Sequence, residues 1–486
     1  MSKEILNLEP KEVWNHFYSL TQVPRPSKHE DAIQDFMMKF GKDLGLETIK
    51  DTVGNVIIRK PATAGMEDRM GIIMQGHLDM VPQKNNDTKH DWVNDPIDAY
   101  IDGDWVTARG TTLGADNGMG VAVAMALLAA NNIEHGPVEA LFTCDEETGM
   151  TGAFGLEPGL LKGDILMNMD SEDEGELYVG CAGGIDASIT FDINNEAVPA
   201  GMTAYKIEVS GLKGGHSGVD IPLERGNSNK LLFRFMKAAA KHHGMLISYI
   251  QGGSLRNAIP RESSSIVVIP EAKKADFESC VKKFEDIFKA ELKSVEPDLS
   301  FSFASTDMPN EVMSEKDMWR VINSIYAAPN GVMRMSNDIE GVVETSTNLA
   351  IIQTKGDKLH VEALLRSSVE TAKDDLAEMF VSLFDLAGAK IVLDGEYPGW
   401  KPNMDSKILK SMQSTYEKMY GFIPKIMVIH AGLECGLLGS VYPNWDMISF
   451  GPTIRFPHSP DEKVNIETVG KFWDFFVETL KSIPVK

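Results

Sequence analysis

The sequence predicts an α/β fold with a mostly parallel central sheet flanked by helices, plus an inserted α+β domain. Continuous apolar strands such as 71–76 and 138–144 alternate with helical segments, and this pattern returns after residue 393. Strands that are apolar on both faces are typical of parallel sheets covered by helices. From about residue 203, apolar and polar residues alternate instead, which is typical of half-exposed strands and indicates the insertion.

The predicted boundaries divide the chain into three segments. Residues 1–202 and 394–486 form the main domain, and residues 203–393 form the insertion. A length of 486 residues favours more than one domain, because single cores stop growing at roughly 250–300 residues. Within the insertion a similar order of strands and helices recurs, which suggests two similar β-α-β units.

The elements of the main domain can be justified in order along the chain. Ser27 and Glu30 have the spacing of a capping box and predict the start of an amphipathic helix that reaches Leu44. The segment 114–130, rich in small residues, predicts a helix packed closely on the sheet. Strands are predicted at 55–60, 71–76, 138–144, 164–170, 425–430 and 446–452.

The insertion shows a different succession of elements. A strand is predicted from residue 203, followed by a helix at 227–241. The remaining segments are a strand at 263–270, a helix at 277–292, two strands within 345–369 and a helix at 374–388.

Composition narrows the class of function. The formal net charge of −24 would repel a phosphate backbone or an anionic membrane surface, so neither nucleic acid nor membrane is expected as a partner. The longest apolar stretch found, 121–130, is too short to span a bilayer. The 4 cysteines show no Cys-x-x-Cys spacing, and the N-terminal segment lacks the pattern of a signal peptide. These features predict a cytoplasmic protein with reduced thiols.

Polar residues follow several apolar strands at the point where each strand ends. In an open α/β sheet, ligands bind beyond the carboxyl ends of the strands, so we expect these side chains to converge at one edge. They are His77, Asp79, Glu146, Glu147, Asp170 and His458. Asp116 joins them from a glycine-rich loop that enters a helix.

Each of these signals also has an ordinary structural explanation. His77 and Asp79 share one face of a strand and can form a simple hydrogen-bonded pair, whereas Asp116 can merely cap its helix. Adjacent carboxylates at Glu146 and Glu147 can form a solvated acidic loop. The joint pattern favours a metal site, because two histidines and several carboxylates without thiolates suit zinc, manganese or cobalt. Either one ion or a pair bridged by a carboxylate satisfies this donor set.

The same motifs resemble those of the co-catalytic zinc metallopeptidases, the family of peptidase T, carnosinase and peptidase V. The resemblance extends across essentially the whole chain and is strongest to the aminoacyl-histidine (Xaa-His) dipeptidases. It is carried by long segments: HLDMVPQKNNDT, ARGTTLGADNG, GLKGGHSG, LRNAIPRE, HAGLECGL and PHSPDE. The resemblance implies a catalytic domain with a lid formed by the insertion.

The resemblance also implies a role for each residue at the predicted edge. His77 and Asp170 would hold one ion, Glu147 and His458 the other, and Asp116 would bridge them through a loop in which the Asp116–Asn117 peptide is cis. Asp79 would orient His77, and Glu146 would be the general base. In the lid, His216 would stabilise the oxyanion, and the substrate carboxylate would be held by Asn257, Arg366 and Gly432.

The implied reaction is hydrolysis of dipeptides with a free C-terminal carboxylate, preferentially Xaa-His such as β-alanyl-histidine, by a metal-bridging water. The expected cofactors are two divalent ions, zinc first, with cobalt or manganese as alternatives. The protein is expected to be a monomer or a homodimer. Two alternatives remain open: an N-acyl amino acid deacylase of the same family, and a non-catalytic metal-binding protein. A dinuclear phosphoesterase is disfavoured, because the sequence has neither a P-loop nor a basic phosphate-binding cluster.

Overall fold

The chain forms two compact units in the computed structural model, which describes residues 3–486. Met1 and Ser2 lie outside the described residues. They are the first two residues of the N-terminal segment for which the sequence predicts no signal peptide. The first unit runs to Cys181 and resumes with Trp400–Val428 and Leu433–Lys486. The second unit comprises Ala182–Gly399 and Ile429–Gly432.

The described residues form strands and α-helices in the following order, with short 3-10 helices at Glu4–Asn7, Ile221–Leu223 and Glu271–Lys273. Up to Cys181 they are α1 (Lys11–Thr21), α2 (Asp31–Asp43), β1 (Glu47–Lys50), β2 (Val56–Lys60), β3 (Ile72–His77), β4 (Ala99–Asp102), β5 (Trp105–Ala108), α3 (Ala115–Ala129), β6 (Val138–Thr143), α4 (Glu146–Gly149), α5 (Thr151–Phe154), β7 (Ile165–Asn168) and β8 (Glu176–Cys181). Then follow β9 (Gly183–Asp192), β10 (Asn195–Ala197), β11 (Met202–Ser210), β12 (Gly215–His216), α6 (Ser228–His243), β13 (Leu246–Gly252), β14 (Ala258–Ile259), β15 (Ser263–Pro270), α7 (Lys274–Glu291), β16 (Ser300–Ser305), β17 (Glu311–Met313), α8 (Glu315–Ala327), β18 (Gly331–Met335), β19 (Val343–Lys355), β20 (Lys358–Ser367), α9 (Glu370–Leu386) and β21 (Lys390–Tyr397). The last elements are α10 (Lys407–Tyr420), β22 (Lys425–Ile429), α11 (Glu434–Val441), β23 (Asp446–Ser449), β24 (Ile454–Arg455), β25 (Lys463–Asn465) and α12 (Ile466–Lys481).

The first unit is built on a sheet of eight strands in the order β1-β2-β6-β3-β7-β23-β8-β22. Its four central strands, β6, β3, β7 and β23, run parallel, and their carboxyl ends therefore meet at one edge. The flanking strands are antiparallel: β2 pairs with β6 in that sense, and β23 with β8. The parallel arrangement predicted for the sheet is thus concentrated at its centre.

Helix α3 packs closely on this sheet, as its small residues predict. A Cβ atom added at Gly120 would lie 2.4 Å from the carbonyl oxygen of Met169, and one added at Gly76 would lie 2.2 Å from Oδ1 of Asn117. Larger residues at either position would push the helix away from the strand ends. Among residues 3–486, no helix combines the length and the apolar character that a membrane span requires.

The predicted capping box at Ser27 is wrong. Helix α2 begins at Asp31, and no side chain caps its first turn. The hydroxyl of Ser27 donates instead to Oδ2 of Asp79 at 2.8 Å, while Glu30 accepts from the backbone N–H of Lys28 at 3.0 Å. The spacing is that of a capping box, but the serine is engaged by a buried carboxylate far along the chain.

The second unit contains two halves with the same order of elements. The first half runs β11-α6-β13-β15-α7-β16, and the second runs β9-α8-β19-β20-α9-β21. The main sheet has the order β16-β11-β15-β13-β19-β20-β9-β21, so each half places its four strands in the same relative positions. The repeated unit is therefore β-α-β-β-α-β, longer than the predicted β-α-β. One apolar core, including Phe235, Phe277 and Phe380, supports the sheet.

This repeat explains where the second unit begins. Strand β9 pairs with β20 and β21, and it supplies the first strand of the second half. The expected boundary at residue 203 therefore falls inside the second unit, whose first residue is Ala182. Similarly, β21 extends past the expected boundary at residue 393, because it is paired with β9.

Candidate active site

The candidate site lies at the carboxyl ends of the central strands of the first unit. His77 is the last residue of β3 and is aligned with Thr143 at the end of β6. Glu146 and Glu147 follow β6, and Asp170 is the second residue after β7. Parallel neighbours end at one edge, which is why side chains distant in sequence meet there.

Asp116 lies between two histidines. Its Oδ1 atom is 3.0 Å from Nε2 of His77, and its Oδ2 atom is 3.2 Å from Nε2 of His458. The peptide bond between Asp116 and Asn117 is cis, which confirms the expectation drawn from the resemblance. Each carboxylate oxygen thus belongs to a different cluster, which is the arrangement a bridging ligand requires.

Two groups of potential ligand atoms share Asp116. In the first, His77 and Asp170 join it, with Nε2 of His77 3.5 Å from Oδ1 of Asp170. In the second, Glu147 and His458 join it, with Nε2 of His458 3.0 Å from Oε2 of Glu147. The atoms within each group lie within 4.8 Å of one another. The structure therefore brings together all five residues expected to hold metal, in the expected two sets.

Asp79 lies behind His77, on the other side of the imidazole ring. Its Oδ1 atom is 3.4 Å from Nδ1 of His77, and the same carboxylate accepts the backbone N–H groups of Glu146 at 3.0 Å and Glu147 at 3.3 Å. Burial opposes ionisation of Asp79, but these contacts and the hydroxyl of Ser27 lower its pKa to about 2. Asp79 therefore contacts both the ring of His77 and the backbone of the segment that carries Glu146 and Glu147.

Glu146 begins the short helix α4 beside this cluster. It is grouped with His77 and Glu147 among atoms close enough to share a cation. Burial raises the pKa of Glu146 well above its usual range, and the nearby carboxylates of Asp170, Glu434 and Glu147 add to this effect against the opposing charge of His77. A carboxylate with a raised pKa is a stronger base than an ordinary carboxylate and is suited to accept a proton.

The donor set fits a pair of divalent ions. Oε1 of Glu147 and Oδ1 of Asp170 are buried and find no hydrogen-bond donor among residues 3–486. Burial, together with the charges of Asp116 and Glu147 and against the charge of His77, raises the pKa of Asp170 to about 7. Buried acceptors of this kind are costly unless a cation satisfies them. Nitrogen and oxygen donors without thiolates suit zinc, manganese and cobalt.

The predicted substrate residues lie in the second unit. His216 is on β12, where its Nδ1 atom accepts the backbone N–H groups of Gly218 at 3.2 Å and Val219 at 3.0 Å. Because Nδ1 accepts, the proton of the neutral ring is on Nε2, which can donate to a ligand. Burial and the charge of Arg366 lower the pKa of His216, which keeps this neutral form.

Arg366 lies near His216 in the same unit. It is buried on β20, where Nη1 donates to the hydroxyl of Tyr397 at 2.7 Å, while Nη2 lies 3.4 Å from Oγ of Ser217. Its Nε atom is buried and has no acceptor among residues 3–486. The backbone carbonyl of Asn257 accepts the N–H of Ser217 at 2.8 Å, so Asn257, His216 and Arg366 are brought together. Such a guanidinium is suited to a carboxylate.

His430 was not predicted, although it occurs in the segment HAGLECGL. It shares the second unit with Gly432, and its Nε2 atom lies 2.7 Å from Oγ of Ser346. Burial, together with the charges of Arg366 and His216, lowers the pKa of His430 to about 3. A single histidine in a loop, with no second polar residue at a telling spacing, is too weak a signal to identify His430 from the sequence.

Three further buried residues of the first unit were also missed. Glu434 accepts hydrogen bonds from Nε2 of Gln75 at 2.6 Å and from Oγ1 of Thr143 at 2.9 Å, next to the strand ends. Arg25 and Glu462 contact the loop that carries Asp116. Two of the three stand in segments that carry the resemblance: Glu434 in HAGLECGL, and Glu462 in PHSPDE, four residues after His458.

Comparison with known proteins is consistent with this geometry. Residues 73–482 match the peptidase family M20/M25/M40. The chain is 46% identical to the cytosol non-specific dipeptidase of Escherichia coli (strain K12), over 99% of this chain and 100% of the relative. The crystal structure of the aminoacylhistidine dipeptidase from Vibrio alginolyticus superimposes with a TM-score of 0.95 at 50% identity, covering 100% of this chain and 99% of the other. A tripeptidase from Staphylococcus aureus shares the fold, with a TM-score of 0.57 at 15% identity and coverage of 98% and 99%.

Proposed function

Because the chain belongs to the peptidase family M20/M25/M40, we propose that it hydrolyses dipeptides in a metal-dependent reaction. It is a hydrolase of the dipeptidase class. The observation that carries this proposal is the position of Asp116, with one oxygen beside His77 and the other beside His458. The two relatives of 46% and 50% identity are both named as dipeptidases, which supports the substrate class.

We propose two divalent ions as cofactors, zinc first, with cobalt or manganese as substitutes. His77 and Asp170 would hold one ion, Glu147 and His458 the other, and Asp116 would contact both. When bound, such ions lower the pKa of water and polarise a carbonyl group. The remaining steps depend on the side chains of the chain itself.

Glu146 accepts the proton of the attacking water and later delivers it to the leaving amine. The raised pKa of Glu146 supports this role, because a carboxylate of low pKa is a weak base and accepts a proton from water poorly. Asp79 keeps Nδ1 of His77 engaged, so that Nε2 faces Asp116. His216 donates from Nε2 to the developing oxyanion of the substrate, since its Nδ1 is already occupied by two N–H groups.

Arg366 binds the C-terminal carboxylate of the dipeptide, with Asn257 and Gly432 as further contacts. The buried guanidinium is held by Tyr397 and retains an unused N–H group. Histidine at the second position is a proposal that rests on the name of the Vibrio relative, whereas the Escherichia coli relative is named non-specific. We therefore propose that Xaa-His dipeptides, such as β-alanyl-histidine, are the preferred members of a broader set.

We also propose a cytoplasmic location, supported by the name of the Escherichia coli relative, and a monomer or homodimer as the assembled state. Neither nucleic acid nor membrane is proposed as a partner of so acidic a chain, whose net charge is −24.

A dipeptide panel combined with metal analysis tests the proposed function. Purified protein would be assayed on β-alanyl-histidine, on other dipeptides and on N-acetyl amino acids, before and after treatment with a chelator. We expect two metal ions per chain, hydrolysis of dipeptides, and loss of activity on chelation that zinc restores. Hydrolysis of N-acetyl amino acids alone would indicate a deacylase instead. A metal-loaded protein that cleaves no member of the panel would indicate a non-catalytic binding protein.

A further inference from the structure

The carboxylate of Glu462 accepts hydrogen bonds from four consecutive backbone N–H groups at the start of α3. Oε2 accepts from Leu113 at 2.8 Å and Gly114 at 2.9 Å, and Oε1 accepts from Ala115 at 2.7 Å and Asp116 at 3.2 Å. The first N–H groups of a helix lack partners within the helix, and a carboxylate is the acceptor best suited to them. Glu462 thereby contacts the backbone of Asp116 and of the three residues before it.

Glu462 also belongs to the loop that presents His458. The side chain is 2% exposed, and the backbone N–H of Glu462 donates to the carbonyl of Ser459 at 3.0 Å. The loop that supplies His458 is thus anchored, within four residues, on the loop that supplies Asp116. Both oxygens of the glutamate are used in this attachment.

Arg25 contacts the same loop at a backbone carbonyl group. Its guanidinium donates from Nη2 to the carbonyl of Gly114, and from Nη1 to the carbonyls of Leu78 and Asp79, each at 2.9 Å. The side chain is 3% exposed and interacts electrostatically with Glu462. Arg25 therefore joins the segment that follows His77 to the loop of Asp116, just as Glu462 joins that loop to His458.

We propose that Arg25 and Glu462 are positioning residues that hold three metal-binding segments in one arrangement. The segments are those of His77, Asp116 and His458, which approach one another from distant parts of the chain. In residues 3–486, the groups of side chains placed to share a metal ion include neither Arg25 nor Glu462. Their contribution is to the affinity for divalent ions, because ligands held in place beforehand lose less freedom on binding. This inference rests on the proposed two-metal function.

The test compares metal binding in variants of Glu462, of Arg25 and of a control glutamate. Glu462→Gln keeps the volume but turns an amide N–H₂ group toward two N–H donors, while Glu462→Asp keeps the charge on a shorter side chain. A matched control is Glu139→Gln, since Glu139 is 6% exposed and accepts the N–H groups of Lys162 at 2.7 Å and Gly163 at 2.8 Å. Glu139 lies near the start of β6, at the end of the strand opposite to the site.

Calorimetric titration of metal-depleted protein with zinc, and separately with manganese, would measure the number of ions and their affinity. We expect Glu462→Gln to weaken binding of at least one ion by about 10–100-fold, and Glu139→Gln to leave both affinities unchanged. Arg25→Lys keeps a positive charge but replaces the two guanidinium nitrogens, which reach carbonyl groups of separate segments, with a single nitrogen, and we expect an intermediate loss. If the glutamine variant does not fold, Glu462→Asp takes its place. We expect Glu462→Asp to retain more affinity for metal than Arg25→Met, which removes the charge of Arg25.

Two results would separate this inference from the proposed function. Wild-type protein that binds no divalent ion would contradict the proposed function itself. Wild-type protein that binds two ions, together with a Glu462→Gln variant of equal affinity, would overturn only the positioning role. Equal losses of thermal stability in the Glu462 and Glu139 variants, without any change in metal affinity, would likewise assign Glu462 a purely structural role.

Discussion

Oδ1 of Asp79 lies 3.4 Å from Nδ1 of His77, on the side of the ring opposite to the nitrogen that faces Asp116. The same carboxylate accepts the N–H groups of Glu146 and Glu147. One buried side chain thus contacts both a predicted metal ligand and the turn that carries the predicted general base. The first contact involves the imidazole ring of His77, and the second involves the backbone N–H groups of Glu146 and Glu147. Both depend on the ionised carboxylate of Asp79.

Replacing Asp79 with asparagine should weaken metal binding by about 10–100-fold. Whichever way the amide is turned, one oxygen acceptor is exchanged for an N–H₂ group, which faces a backbone N–H: that of Glu146, beside His77, or that of Glu147, beside Ser27. Titration of the metal-depleted variant with zinc would measure the change. Ser27→Ala serves as the control, because it removes only the hydroxyl contact at 2.8 Å and should change the affinity less. Wild-type affinity in Asp79→Asn would contradict the orienting role.

Glu146→Ala should retain both metal ions and lose nearly all turnover. Proton transfer by a positioned side chain contributes roughly 10²–10⁴-fold to a rate, so kcat should fall within or beyond that range. Metal content and kcat on β-alanyl-histidine would be measured on the same preparation. A variant that keeps its metals and remains active would reject Glu146 as the general base.

Arg366→Met should raise KM for dipeptides and have little effect on dipeptide amides. The guanidinium is proposed to bind the free C-terminal carboxylate, and an amidated substrate offers no negative charge there. Comparing KM and kcat for a dipeptide and its amide in wild type and variant isolates that contact. Tyr397→Phe is a milder control, since it removes the phenol that accepts from Nη1 at 2.7 Å. Equal effects on both substrates would indicate that Arg366 only maintains the fold.

His430 should make the protein less stable in acid. Burial lowers its pKa to about 3 in the folded state, whereas an unfolded histidine titrates near pH 6.5. Below pH 6.5 the unfolded chain takes up a proton that the folded chain refuses, so stability falls as the pH decreases toward 3 and is unaffected above 7. The full shift corresponds to roughly 5 kcal/mol at most.

Thermal unfolding of wild type and His430→Gln between pH 4 and pH 8 would measure this contribution. We expect the difference in Tm between the two proteins to change in favour of the variant as the pH decreases. His243→Gln is the control, because that histidine is on α6 and only partly buried, and its removal should change the pH dependence less. Parallel curves for wild type and His430→Gln would contradict the assignment.

The strand ends of the main domain could be predicted because the signal is local. An apolar run that stops at a histidine or an acid, as at His77 or Asp170, is visible in the sequence, and parallel pairing brings such ends together. The edge strands were harder to predict from the sequence. A short strand such as β1 pairs with β2 in a hairpin and has no long apolar run that would mark it.

The residues that hold the site in place could not be predicted in the same way. Ser27 has the local spacing of a capping box, yet its partner is Asp79, 52 positions away. Arg25 and Glu462 act on backbone groups, which every residue possesses, so no side-chain pattern reveals the partner. The start of the second unit was missed for a related reason: β9 is defined by its pairing with strands that come much later in the chain.

The place of β9 in the chain has a consequence for synthesis. Its residues 183–192 leave the ribosome well before those of β20 at 358–367 and β21 at 390–397, with which it pairs. The first half of the repeat, β11 to β16, is complete in the meantime and can form its own sheet order. A nascent chain that stops near residue 340 would therefore carry β9 without its partner strands, and such an unpaired strand favours aggregation until β20 emerges.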